Sequence, residues 1–393
     1  MTPAARVQTS IELLDAIAEA ARHQGAPADR ILADWFRANR FAGSKDRRAI
    51  RELVYAAIRA CGPLPESGRA AMLRLAETDP AIRPLFDGSQ YGPAPIQPGE
   101  VVAEGGVAPA WVVERLVSAG IDDVEAKVLL DRAPLDLRVN TLKAERASLV
   151  LPVDAEPTQA PNGLRIAAGT QVEPWPAYRE GLVEIQDTGS QLACLAVGAQ
   201  PGETIVDLCA GGGGKTLALV AAMDNLGVLI ACDTERARLS KLGPRAERAG
   251  ATNVDTRLLD PGREMEALGE FEGRADAVLV DAPCSGTGTW RRNPEARWRL
   301  TPDMLDRLIE TQALILDNAV RLLRPGGRLI YVVCSLLDGE GPDQFDALLA
   351  RHPQLSSQPL ALPAGRERAK GIRLTPHHDS TDGFFIARAG LAC

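Results

Sequence analysis

The second half of the chain predicts a doubly wound α/β domain, and the first eighty or so residues predict an all-α one. Three observations carry this reading. From Gly181 onward, short apolar runs at Thr204–Leu208, Val228–Cys232, Val254–Leu259, Asp276–Val280 and Arg328–Val333 alternate with helical segments at Ser190–Val197, Thr216–Met223, Glu235–Ala249 and Pro302–Leu323. Strands separated by helices give a parallel sheet covered on both faces. An acid stands at the tip of each of the first four runs (Asp207, Asp233, Asp260 and Asp281), at the strand ends where open α/β sheets bind ligands. Ahead of this, apolar residues recur at three and four, as in Ile11, Leu14, Ile17 and Ala18 and again in Ile31, Leu32, Trp35 and Phe36.

The chain has 393 residues, enough for two or three domains, and its 45% hydrophobic content suits a large soluble core. Aromatics are only 4%, so aliphatic residues and alanine do most of the packing. No run reaches the length of a membrane span, and Glu12, Asp15 and Glu19 interrupt any secretory signal at the N-terminus. The 7 cysteines form no C-x-x-C pair and the 4 histidines no ligand pattern. That argues for reduced thiols in a cytoplasmic protein and against a disulfide frame or a metal site. The formal net charge is −8, yet basic residues cluster locally. Arg37, Arg40, Lys45, Arg47, Arg48, Arg51 and Arg59 form one group, and Arg291, Arg292, Arg297 and Arg299 another. Such patches hold phosphates on an acidic protein, or are simply solvated helix faces.

Taken in order, residues 1–85 are a helical domain, with Ile50, Leu53, Val54 and Ile58 on one stripe and Asp29 and Ser44 at N-cap positions. Residues 86–107 are a Pro/Gly-rich linker. Residues 108–180 make a small α+β module, with helices at Ala110–Ala119 and Asp122–Asp131 and an alternating strand at Leu135–Asn140. Residues 181–393 are the doubly wound domain. Arg324 to Arg328 is a tight turn into a strand, and Gly383–Ala387 a last strand.

Two stretches carry chemistry. The run Ala277–Val280 is flat in polarity, so it is a strand buried on both faces. It breaks at Asp281-Ala-Pro-Cys-Ser-Gly-Thr-Gly288, which leaves the Asp281 carboxylate and the Cys284 thiol at a strand end. The other stretch is Asp207-Leu-Cys-Ala-Gly-Gly-Gly-Gly-Lys-Thr216. Its glycines let a ligand approach the backbone, and the next helix offers free N–H groups. A phosphate loop needs glycine five residues before Gly214, where Cys209 stands, so that pattern fails. A nucleoside cofactor, with Asp233 accepting from ribose hydroxyls, fits better.

These motifs, with Tyr331-Val-Val-Cys-Ser335, resemble the RsmB/Nop/Sun family of RNA cytosine-5 methyltransferases. Gln186-Asp187, Ser190-Gln191, Leu137-Arg-Val-Asn140 and Asp382-Gly-Phe-Phe385 match its flanking motifs, so the resemblance covers roughly residues 108–393. The helical N-terminus resembles, more weakly, a NusB-like RNA-binding domain. The resemblance implies a class I S-adenosylmethionine-dependent methyltransferase fold acting on RNA, with ribosomal RNA the substrate expected from the N-terminal domain; a monomer is the default expectation. It implies that Cys209, Ala210, Gly211, Gly212, Gly213, Gly214 and Lys215 hold the methionine part of S-adenosylmethionine, Asp233 the ribose and Asp260 the adenine. Cys334 is then the nucleophile and Cys284 the residue that helps release product. Asp281 is expected to border the cofactor and to face the N3 and amino edge of the base, and Lys215 orients substrate or contacts phosphate. Trp290 and Trp298, interleaved with the second arginine group, are candidates to clamp a single strand. Two departures stand out. The family usually has Ala-Pro at Gly211-Gly212, which predicts a looser loop here, and Leu336 to Pro342 lacks the usual Pro-x-Glu-Asn run. Transfer RNA, DNA with Cys284 as nucleophile, and a non-catalytic RNA-binding factor with a vestigial site stay open as alternatives.

Overall fold

The computed structural model describes every residue from Met1 to Cys393. The chain forms two compact units: Met1–Asp131 with Trp290–Thr301, and Arg132–Thr289 with Pro302–Cys393. No helix is long and apolar enough to cross a membrane.

The first unit is all-α. Its helices are α1 (Pro3–Arg22), α2 (Ala28–Ala38), α3 (Ser44–Ala60), α4 (Gly68–Thr78), α5 (Ala110–Ser118) and α6 (Asp123–Val128). The stripes expected from periodicity make its core: Leu14, Ile17, Leu32, Ile50, Val54 and Ile58 are all buried. Thr2 and Ser67 cap α1 and α4 through their hydroxyls. Asp29 and Ser44 do not cap: α2 and α3 start after Pro27 and Gly43, and Asp29 accepts from the Tyr55 hydroxyl instead. The stretch 86–107, expected to be a linker, is packed. Phe86 and Ala103 lie in the helical core, Ala103 N–H donates to the Ala70 carbonyl, and Arg69 pairs with Glu100. Its prolines and glycines rule out helix and strand but not burial. With α5 and α6 in this unit, its boundary lies at Asp131, beyond the expected residue 85.

The second correction concerns Trp290–Thr301. Trp290 is fully buried and Trp298 joins the helical core. Arg297 has no exposed surface and donates to the carbonyls of Ile58 and Cys61, each at 2.6 Å. These carbonyls lie at the C-terminal end of α3, where helices leave acceptors unpaired. Arg299 donates to the Gly25 and Ala26 carbonyls, and Glu295 accepts from Ala28 N–H in the first turn of α2. Residues that looked like a strand clamp are therefore the internal wiring of the helical unit.

The second unit opens with a four-stranded antiparallel sheet in the order β2-β3-β1-β4, from β1 (Leu135–Val139), β2 (Glu156–Pro157), β3 (Gly163–Ile166) and β4 (Val183–Ile185), with α7 (Pro176–Arg179) before β4. Next come α8 (Thr188–Val197), β5 (Thr204–Asp207), α9 (Gly214–Ala222), β6 (Val228–Asp233), α10 (Arg236–Leu239), α11 (Leu242–Ala249), β7 (Val254–Leu258), α12 (Glu264–Leu268), β8 (Ala275–Asp281), α13 (Pro302–Leu322) and β9 (Leu323–Val333). The chain ends with α14 (Pro342–Arg351), β10 (Leu355–Gln358), β11 (Arg366–Arg368), β12 (Gly371–Leu374), α15 (Pro376–Asp379) and β13 (Phe384–Leu391). The main sheet runs β11-β12-β13-β9-β8-β5-β6-β7, with β10 also on β13. Strands β5 to β9 pair in parallel, and β13 closes against β9 antiparallel.

Alternate strand residues serve the two faces. Ile205, Leu229, Ala277, Leu279 and Ile330 meet α8, α9 and α11, while Val206, Ile230, Val278, Val280 and Tyr331 meet α13 and α14. Burial on both faces is why these strands read as unbroken apolar runs. The single helix expected over Glu235–Ala249 is two helices, α10 and α11. Pro244, which has no N–H to give to a helix interior, sits in the first turn of α11. The expected turn at 324–327 appears as an interruption in the β8–β9 ladder, which passes from Leu323 to Arg328.

Candidate active site

The carboxyl ends of β5, β6, β8 and β9 surround a cavity of about 370 Å³. Leu208, Leu259, Pro261 and Ile315 form an apolar wall, and Asp233, Asp281, Cys284 and Cys334 supply the reactive rim. The sulfurs of Cys284 and Cys334 are 3.2 Å apart and not bonded as a disulfide. The parallel β8–β9 register sets this meeting. Asp281 pairs with Val332, so the two strands end nearly level, and Cys284 comes three residues after β8 and Cys334 directly after β9. The neighbouring Cys334 sulfur, then burial, push the Cys284 thiol well above its ordinary range.

Lys215, from the first turn of α9, reaches Asp281 Oδ2 at 2.5 Å and lies 5.7 Å over the Phe384 ring. Burial works against its charge, but the Asp281 carboxylate outweighs that and raises its pKa, so Lys215 stays an ammonium. A donor and an acceptor thus stand side by side next to the two thiols.

The glycine loop is closed rather than loose. Ala210 N–H donates to the Cys232 carbonyl at 2.8 Å, Gly213 N–H to the Ala210 carbonyl at 2.9 Å, and Gly211 N–H to Asp233 Oδ2 at 2.8 Å. Arg245 donates to the Gly212 carbonyl and also pairs with the buried Glu184. Gly211 has φ +56°, and a Cβ there would lie 2.8 Å from the Arg238 guanidinium; at Gly212 it would lie 3.3 Å from Arg245. Two arginines occupy the space that side chains would take at the positions where Ala-Pro was expected. Beneath the loop, Asp207 is fully buried and accepts from the Thr216 hydroxyl at 2.7 Å; burial lifts its pKa to about 7.

Of the residues expected to hold a cofactor, Cys209, Asp233 and Asp281 line the cavity. Ala210 to Gly214 form the loop behind Cys209, and Lys215 reaches in through Asp281. Asp260 is exposed and is not among the lining residues, although its neighbours Leu259 and Pro261 are. It stands two residues beyond the end of β7, which turns it outward. Sequence reasoning missed Arg238, Glu264, Thr311, Ile315 and Asn318 in the wall. It also missed Glu340, whose carboxylate is fully buried between the two cysteine-bearing loops. No periodicity or motif marks these positions; an isoleucine and an asparagine on α13 look like any helix face.

The flanking motifs are structural ties. Arg138 Nε donates to Gln186 Oε1 at 2.7 Å, Asn140 bonds the Gly181 and Ala249 carbonyls, and Asp187 caps α8 while accepting from Asp382 N–H.

Comparison with known proteins agrees with this architecture. Residues 194–389 match the family model described as 16S rRNA methyltransferase RsmB/F. The ribosomal RNA small subunit methyltransferase B of Xanthomonas campestris is 31% identical over 73% of this chain and 67% of its own length. The chain belongs to the RsmB/F methyltransferase family. The enzyme of the same name from Shewanella oneidensis is 31% identical over 71% of this chain and 66% of its own. The chain spans 59% to 67% of the length of the curated relatives it matches. Among solved structures, PH0851 superposes with a TM-score of 0.77 at 25% identity, covering 99% of both chains. The NSun6 protein of Pyrococcus horikoshii, solved with SFG, gives 0.64 at 20% identity over 71% of this chain and 97% of its own. The domain has the class I methyltransferase fold.

Proposed function

We propose that this chain methylates carbon 5 of a cytosine in RNA, with ribosomal RNA as substrate and S-adenosylmethionine as methyl donor. One observation carries the proposal: two free thiols 3.2 Å apart beside the Lys215–Asp281 pair, at the rim of a cavity suited to a nucleoside. The names of the relatives support ribosomal RNA. The cavity fits the cofactor's parts, with an apolar slot for a flat base and a carboxylate at Asp233 whose oxygens each keep a free lone pair for ribose hydroxyls.

The cofactor supplies a methyl group made electrophilic by a sulfonium. The chain supplies the rest. Carbon 5 of cytosine is too electron-poor to attack unaided. The Cys334 thiolate adds to carbon 6, which moves the electron pair of the 5,6 double bond onto carbon 5 and lets it take the methyl group. Cys284 then removes the proton from carbon 5, the sulfur–carbon 6 bond breaks and Cys334 leaves as thiolate. The 3.2 Å between the sulfurs puts Cys284 within reach of the carbon next to the one that Cys334 attacks. Asp281 accepts from the exocyclic amine, while Lys215 offsets the charge that builds on the ring. The base has to leave its stack to reach this rim.

Methyl transfer to ribosomal RNA from a deletion strain tests the proposal, with tritiated cofactor and bisulfite mapping. Cys334→Ala is expected to show no transfer, and Cys284→Ala to accumulate a protein–RNA adduct stable in denaturant. An active Cys334→Ala protein would overturn the assignment of roles.

A further inference from the structure

We infer that Glu340 is a positioning residue that fixes the separation of the two thiols by gripping the serine next to each one. This rests on the cysteine roles above. The Glu340 side chain has no exposed surface. Its Oε1 accepts from Ser285 N–H at 2.7 Å and from Gln312 Nε2 at 3.1 Å; its Oε2 accepts from the Ser335 hydroxyl at 2.6 Å and from the Ser285 hydroxyl. Ser285 follows Cys284, and Ser335 follows Cys334. One carboxylate therefore ties the loop after β8 to the loop after β9 at the residues next to the sulfurs. Gln312 extends the grip from α13, because its amide also donates to the Pro283 carbonyl at 2.9 Å. The Tyr331 hydroxyl donates to the Glu340 carbonyl at 2.5 Å, which fixes the backbone that carries the carboxylate.

A carboxylate here has two effects that a neutral group of the same shape would split. It supplies acceptors for four donors, which is positioning. It also places a buried negative charge near Cys284, which adds to the forces raising that thiol's pKa. Burying a charge is costly unless it is fully hydrogen-bonded, and here both oxygens are. The stretch Leu336–Pro342 departs from the family run, yet it delivers an acid to the point where the loops meet.

The test uses the full chain and begins without RNA. Phenylarsine oxide binds two thiols together only if they stand close, forming two arsenic–sulfur bonds and releasing water. Cys284→Ser marks the part of its binding that belongs to this pair. Glu340→Ala is expected to weaken that binding at least about tenfold, with S-adenosylhomocysteine affinity by calorimetry and the melting curve holding the folded fraction constant. Its kcat is expected to fall on the order of 100-fold at unchanged KM for cofactor. Glu340→Gln keeps the shape, and its amide faces hydroxyls that can turn to accept from it. It is expected to keep arsenical binding while Cys284 alkylation by iodoacetamide moves to lower pH. Unchanged arsenical binding in Glu340→Ala, or a loss no larger than the loss of folded protein, overturns the inference. So does a Glu340→Gln protein that loses the arsenical site as fully as Glu340→Ala. If wild-type protein binds the arsenical as described but transfers no methyl group, the functional reading fails and the positioning role stands.

Discussion

Two loops stand at the ends of neighbouring strands, and their own side chains contribute unequally to holding them. The glycine loop after β5 is fixed through its own main chain, by N–H groups of Ala210, Gly211 and Gly213 and the carbonyl of Gly212. The cysteine loop after β8 has main-chain ties of its own at Gly288, and adds to them the side chains of Ser285 and Thr287, bonded to Ser335, Leu336 N–H and Glu340. A loop held by its main chain tolerates changes of side chain so long as no atom intrudes. A loop that also leans on its side chains loses part of its hold with them, and this one carries Cys284.

The sharpest way to break the comparison is Gly288→Ala. A Cβ there would lie 2.1 Å from the Gly383 carbonyl oxygen, and Gly383 N–H donates to the Gly288 carbonyl, so two backbones cross with no room between them. The expected cost is about 3 kcal/mol or more, read from urea unfolding. Next is Asp233→Ala, which orphans the Gly211 and Glu235 amides at about 1–3 kcal/mol each. Calorimetry with S-adenosylhomocysteine is expected to show weaker binding, and equal affinity would remove Asp233 from the cofactor site. Gly213→Ala forces a side chain onto φ +84° with Leu242 Cδ1 2.1 Å away. A loss of roughly 1–2 kcal/mol is expected, since the leucine end can swing aside. Arg245→Ala should cost about 1 kcal/mol, because Arg248 still pairs with Glu184 and the main-chain bonds of the loop remain.

A separate prediction, read along a pH series, concerns Asp207. Its pKa is raised from 3.8 to about 7 by burial, so the folded state holds a proton that the unfolded chain releases. The stabilisation from that proton is complete below about pH 4 and is lost as pH rises through 7. Asp207→Asn removes the dependence. Wild type should therefore lose stability relative to the variant between pH 4 and 7, and parallel urea midpoints across that range would refute it.

The sheet and the cysteine pair were legible because their signals are local. A strand buried on both faces is an unbroken apolar run, and a motif at its end carries its chemistry with it. Asp281, Cys284 and Cys334 come together as the strand order implies. Glu340 was not legible: an acid between two glycines has no period, and its Ser285 partner is 55 residues away in sequence. Asp260 read as one of four strand-end acids, and β7 ends at Leu258, one residue short of the expected run, with the acid exposed two residues on. The packed stretch 86–107 was read as a linker because composition reports what secondary structure a segment cannot form, not whether it is buried. Trp290, Arg297 and Trp298 misled for a related reason. Arginine beside tryptophan suits stacking on a base, but it equally suits a guanidinium buried among helix-end carbonyls.

The segment Trp290–Thr301 leaves the cysteine loop one residue after Thr289, contributes to the helical core, and returns at Pro302. The polypeptide therefore passes between the units three times, woven rather than strung. A truncation that began at Arg132 would strip Arg297 of the Ile58 and Cys61 carbonyls that accept from it and bare Trp298, fourteen residues after Cys284. The amino-terminal helices are thus no detachable accessory, because their core includes a segment inserted after the cysteine loop.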